Sequence, residues 1–102
     1  MLEVKEEMII PIKGVEYKLY LVKDMTDCSG MTDKKKREIV IELTEDNEVL
    51  FRTIIHELIH AYFHESGLEG YCNDETLISW LDYHFFELYN LFEEIFTNSK
   101  TI

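Results

Sequence analysis

Apolar and polar residues keep a period of two in the first part of this chain and a helical period in the rest. Within residues 2–12 a short apolar run, Met8-Ile9-Ile10, ends at Pro11, and Lys13-Gly14 offers a turn. From Val15 to Val22 the pattern alternates, with Val15, Tyr17, Leu19 and Leu21 on one side, which predicts a strand. The two runs read as a hairpin, and Pro11, which has no N–H to donate, assigns the first of them to a sheet edge. Residues 24–36 collect Asp24, Thr26, Asp27, Ser29, Gly30, Thr32 and Asp33 and read as a loop. Alternation returns over Glu38 to Leu43, with Ile39, Ile41 and Leu43 on one side, and predicts another strand.

Beyond Thr44-Glu45-Asp46-Asn47, which supplies several possible N-caps, the spacing becomes helical. Leu50, Phe51, Ile54, Ile55, Leu58, Ile59, Tyr62 and Phe63 form a doubled apolar stripe at i, i+4 spacing, so a helix is expected from about Asn47 to Glu65, stopped by Ser66-Gly67. A loop over Gly67 to Asn73 leads to a second helix from near Asp74 to about Phe96. Its apolar face is Leu77, Ile78, Leu81, Phe85, Leu88, Phe92, Ile95 and Phe96, widened by Trp80, Tyr83 and Tyr89. Thr97 to Ile102 read as a frayed tail. These elements make an α+β fold, a single domain over residues 1–102 with a small antiparallel or mixed sheet of about three strands packed on two helices.

Composition narrows the function classes. A content of 46% hydrophobic and 13% aromatic residues is that of a folded chain. The net charge of -11 argues against nucleic acid as a partner, because phosphate attraction needs Lys and Arg. The basic run Lys34-Lys35-Lys36-Arg37 reads as a solvated turn between strands rather than a recognition patch. Cys28 and Cys72 are too few for a disulfide scaffold. Met1 to Glu7 is acidic, with no basic n-region before an apolar run, and the apolar stretch Leu77 to Phe96 is broken by Asp82, Glu87, Glu93 and Glu94. The expectation is a cytoplasmic protein with no signal peptide and no membrane span. It would be a monomer, or a homodimer through the wide apolar face of the second helix.

The chemistry concentrates in His56-Glu57-Leu58-Ile59-His60. Two histidines four apart on a helix project from one face, so both imidazoles can reach one metal ion, and the glutamate between them can take a proton from water there. A catalytic zinc site needs a third protein ligand. His64 continues the series but lies about 12 Å along the axis from His56, too far to share the ion, and reads as a surface histidine. Glu75, in the first turn of the second helix, is the better candidate, with Asp74 and Cys72 as alternatives. Ser79 and Asp82 follow Glu75 on the same face and are candidates to hold a ligating histidine in place.

His56-Glu57-Leu58-Ile59-His60-Ala61, followed by Asn73-Asp74-Glu75-Thr76-Leu77-Ile78-Ser79-Trp80, resembles the small phage and prophage zinc metallopeptidases of the gluzincin type, loosely related to the ImmA/IrrE and SprT-like families. Upstream, Cys28-Ser29-Gly30 and Arg37-Glu38-Ile39-Val40-Ile41 are similar to the strand region before the motif helix in those families, where a peptide substrate lies along a sheet edge. The resemblance covers roughly residues 15–85. It implies a minimal zincin-like fold, one Zn2+ per chain held by His56, His60 and Glu75, and Glu57 as general base. By the same analogy the substrate is a protein or peptide, conceivably a regulator, lying against Ile39 to Leu43. Thermolysin-like enzymes carry an Asp one turn after the glutamate ligand where this chain has Ser79. Tyr71, Tyr83 and His84 are the nearest candidates to steady an oxyanion. Two other classes stay open: a zinc-stabilised protein-binding module without turnover, with Cys72 closing a four-ligand site, and an acidic phage-type inhibitor suggested by charge alone.

Overall fold

A computed structural model describes residues 3–99 as α+β, a four-stranded mixed sheet with three helices. The elements are β1 (Glu3–Ile12), β2 (Val15–Lys23), β3 (Gly30–Asp33), β4 (Glu38–Glu42), α1 (Asn47–Glu65), α2 (Glu69–Cys72) and α3 (Glu75–Asn98). Lys13 and Gly14, both at positive φ (50° and 80°), close the β1–β2 hairpin in the two-residue turn whose twist suits antiparallel strands. β1 is an edge strand as Pro11 predicts, but it is ten residues long, because the charged stretch before Met8 also pairs with β2.

The strand order is β1-β2-β4-β3, with β2 and β4 parallel and β3 antiparallel to β4. The stretch expected to be loop over residues 24–36 contains β3, and the sheet has four strands, not about three. The strand of Ile39 to Leu43 is therefore not an edge. β4 lies between β2 and β3, and β3 is the sheet's outer strand on that side. Gly30-Met31-Thr32-Asp33 lacks an apolar alternation because it is short and packs through Gly30 and Thr32 against α1 rather than through large side chains. The basic run is the β3–β4 turn. Asp33 Oδ1 accepts from the Lys35 and Lys36 amides (3.1 and 3.0 Å), and Arg37, at φ 54°, turns the chain into β4. Lys34 is anchored there by Glu69 (3.2 Å), so the turn is partly tied down.

One face of the sheet packs on α1. Ile12, Tyr17, Leu19, Ile39 and Ile41 meet Ala61, with Leu50, Ile54 and Leu58 of α1 against them. The doubled stripe of α1 thus has two partners: this row faces the sheet, while Phe51 meets Phe86 and Tyr89 of α3. Asp46 is the N-cap that forms, its carboxylate accepting from the Glu48 and Val49 amides. At the other end Leu68 N–H reaches the Phe63 carbonyl and Gly67 N–H that of His64, with Gly67 at φ 75°, which is the helix stop expected at Ser66-Gly67.

The expected loop over Gly67 to Asn73 includes the single-turn α2, which brings Cys72 under α1 and starts α3 at the Asp74 cap. α3 continues through Asn98, further than expected, and residues 100–102 of the expected tail lie outside the described residues. Among the described residues, no helix is long and apolar enough to cross a membrane.

Candidate metal centre

α1 places His56 and His60 one turn apart on the face that looks toward the start of α3, with ring centroids 5.1 Å apart. The α2 turn reverses the chain so that Glu75, in the first turn of α3, meets them. Its Oε2 is 2.9 Å from His56 Nε2 and its Oε1 is 2.7 Å from His60 Nε2. One ligand atom from each of the three residues lies within 4.8 Å of the others.

The far side of each ring is already held. His60 Nδ1 donates to the Cys72 carbonyl (2.7 Å), and since a carbonyl can only accept, the hydrogen sits on Nδ1 and a neutral His60 offers its Nε2 lone pair toward Glu75. His56 Nδ1 donates in the same way to Asp82 Oδ2 (2.8 Å). Asp82 is buried, and its other oxygen accepts from Arg52 Nε at 2.6 Å. Burial alone would lower the His56 pKa, but the hydrogen bonds to Asp82 and Glu75 outweigh it and push the imidazole upward. Two imidazole lone pairs and a carboxylate meeting at one point need either extra protons or a divalent cation between them. The donor set, two nitrogens and an oxygen, is one that zinc accepts.

Glu57 follows His56 on α1 and is 8% exposed, on the side of the helix that meets the sheet. Thr32 of β3 donates to its carboxylate Oε1 at 2.8 Å and also lies 3.1 Å from its carbonyl. Gly30, two residues earlier, makes room for the group. A Cβ there would stand 2.8 Å from Thr53 Cγ2 and 3.0 Å from Glu57 Cγ. His56, Glu57, His60 and Glu75 border an open cleft of about 500 Å³ whose other walls are Cys28, Ser29, Gly30, Asp82 and the Val49, Arg52 and Thr53 side of α1. A smaller recess of about 240 Å³ shares Glu57, His60 and Glu75 with the cleft and is bordered besides by Thr32, Lys34 and Asn73.

His56, Glu57, His60, Glu75 and Asp82 therefore come together as the sequence suggested. Ser79 does not join them: it is exposed, and Asp82, one turn further along α3, takes the place beside His56. Asp74 caps α3 through the Leu77 amide, and the Cys72 thiol bonds the His60 carbonyl (3.3 Å), so each of these alternatives has another task. His64 pairs with Glu69, away from the cleft. Tyr71 packs on Phe63, and His84 stacks on Trp80 and bonds its carbonyl; neither lines the cleft.

The sequence reading missed Thr32, Gly30, the Cys72 carbonyl and Arg52. Only Arg52 carries a sequence signal, since it stands four residues before His56 on the same helical face. No family model, no curated protein and no solved structure matches the chain.

Proposed function

We propose that this chain is a zinc-dependent metallopeptidase of minimal zincin-like fold that cleaves peptide bonds in a protein or peptide substrate. The observation that carries the reading is the convergence of His56, His60 and Glu75, each ring anchored from behind, beside the buried carboxylate of Glu57. His56 Nε2, His60 Nε2 and the Glu75 carboxylate would hold the ion. When bound, zinc supplies a Lewis acid that polarises a carbonyl and acidifies water. Glu57, its Oε1 held by Thr32, takes the proton of the attacking water and delivers it to the leaving amine. The peptide would add as an extended strand to β3, whose outer rank of backbone groups no other strand of the sheet uses and which runs past Glu57 at Gly30 and Thr32.

The non-catalytic zinc module has less behind it. A closed four-ligand site needs the Cys72 thiolate, yet that sulfur faces the His60 carbonyl and burial pushes its thiol pKa up. The purified protein is expected to contain close to one zinc per chain and to cleave unstructured protein substrates. Glu57→Gln should keep the zinc and lose the cleavage. Cleavage by that variant at the wild-type rate would refute the mechanism, and absence of bound zinc would refute the metal assignment.

A further inference from the structure

α3 is covered along only half its length. Its first turns pack on α1 with Ile78 and Asp82 buried, whereas every residue from Glu87 to Asn98 is exposed. That half is about 18 Å of helix, and the molecule measures 47 Å along its longest axis against 32 and 26 Å along the others. A helical stretch this short is marginal in water by itself, and this one is not polar. Leu88, Phe92 and Ile95 recur at i, i+4 and i+7, and Ile95 is 64% exposed. On the helical wheel the sector from Ile95 through Leu88 and Phe92 to Phe85 contains no charged side chain; Glu87, Glu93 and Glu94 fall on the opposite side. The same sector continues towards the body into a groove of about 400 Å³ between α1 and α3, walled by Ile55, Ile59, Tyr62 and Phe63 of α1 and by Leu81 and Phe85 of α3.

We infer that this face joins two copies of the chain, the apolar ridge at the distal end of α3 of one copy seating in the α1–α3 groove of the other. Ridge and groove lie on one face, and their centres, near Phe92 and near Leu81–Phe85, are about 14 Å apart along the helix. A two-fold axis through the midpoint, at Leu88, runs the two α3 helices antiparallel and sets each ridge over the other copy's groove. That is the self-complementarity an isologous dimer requires.

Charge separates this occupant from the others. α3 carries no Lys or Arg, so the face lacks the cations that hold an amphipathic helix on an anionic membrane. A basic protein would need carboxylates on the face, and the apolar sector has none. A second copy needs neither. Phe85, Leu88, Phe92, Ile95 and Phe96 are each about half exposed. At that exposure they offer roughly 500 Å² of apolar surface per copy, and the groove wall adds to it towards the roughly 800 Å² per partner of a stable interface. The pairing does not depend on the metal reading.

Sedimentation equilibrium of the full chain at micromolar and higher concentrations is expected to give twice the 12.2 kDa chain mass. Phe92→Glu combined with Ile95→Glu changes exposed positions only; it should leave the far-UV spectrum intact and weaken self-association by about a hundredfold or more. Leu88→Cys in a Cys28→Ser background tests the axis directly, because oxidation should link one copy to its partner, and this readout stands even where the glutamate variant loses helix. A wild-type chain that stays at single mass together with a Leu88→Cys chain that does not cross-link overturns the inference, as does a dimer unaffected by the ridge substitutions. So does a single-mass chain that co-sediments with phosphatidylcholine vesicles, which would give the face to lipid.

Discussion

Thr32 and Gly30 decide how well Glu57 is aimed. The Thr32 hydroxyl is the hydrogen-bond donor to its carboxylate, and Gly30 leaves the space in which the side chain lies. Thr32→Val keeps the shape and removes the donor, so zinc content should stay while kcat falls about ten- to a hundredfold, the scale of loss expected when a reacting group is misplaced by a fraction of a bond length or more. Gly30→Ala puts a methyl against Thr53 and Glu57 and should impair turnover at least as much; a fully active Gly30→Ala would show that this approach is not tight in solution. Elsewhere, the buried hydroxyl of Tyr17 donates to Glu65 at 2.6 Å. That bond, opposed in part by burial and helped by Arg37, holds the Glu65 carboxyl below its ordinary 4.5. A carboxyl depressed in the folded state contributes stability that is complete above its unfolded pKa and is lost as pH falls through the folded value. Tyr17→Phe should therefore cost about 1–2 kcal/mol at neutral pH and flatten the decline in urea midpoint below about pH 4.5. An unchanged acid-side slope would contradict the assignment.

The site is shared among elements. α1 supplies His56, His60 and Glu57, α3 supplies Glu75 and Asp82, α2 lends a carbonyl, and β3 holds the Glu57 carboxylate through Thr32. Asp82 links α1 to α3 twice, through His56 and through Arg52, which also lies over the Tyr83 ring. Asp82→Asn retains the size but loses the charge facing both partners, so zinc affinity in competition with a chelator should weaken about 10- to 100-fold, with cleavage falling in parallel at limiting zinc. An unchanged affinity would mean that Asp82 serves only to hold Arg52. The helices were legible because each repeats its apolar spacing for many turns. β3 and α2 were not: each is only four residues long, and the residues that make β3 a strand are partnered by β4 and α1, not by a pattern within the segment.

For the whole molecule, a metal ion held by His56, His60 and Glu75 would cross-link α1 to α3 between positions 15 and 19 residues apart in sequence. At free zinc a thousandfold above Kd the folded state gains about 4 kcal/mol, and each kcal/mol shifts the midpoint of a domain this size by about 4–8 °C. A chelator should thus lower the melting temperature of wild type well beyond that of His60→Ala, whose own melting should barely respond. Equal responses would remove the metal from the stability of the fold.

Local spacing and backbone preference were enough to give the period of β2, β4, α1 and α3, the hairpin turn at Lys13-Gly14, the stop of α1 at Ser66-Gly67 and the pair of histidines on one face, whereas Asp46 was one of several N-cap candidates until the fold selected it. The chain by itself left Glu75, Asp74 and Cys72 open as the third ligand, since the α2 turn that swings Glu75 over the histidines is not encoded by any periodicity. Only the tertiary structure put β3 outside β4, brought Thr32 to Glu57 and chose Asp82 over Ser79. Those relations join residues 25 positions apart for Thr32 and Glu57 and 26 for His56 and Asp82, and the packing of α1 between sheet and α3 is what sets them.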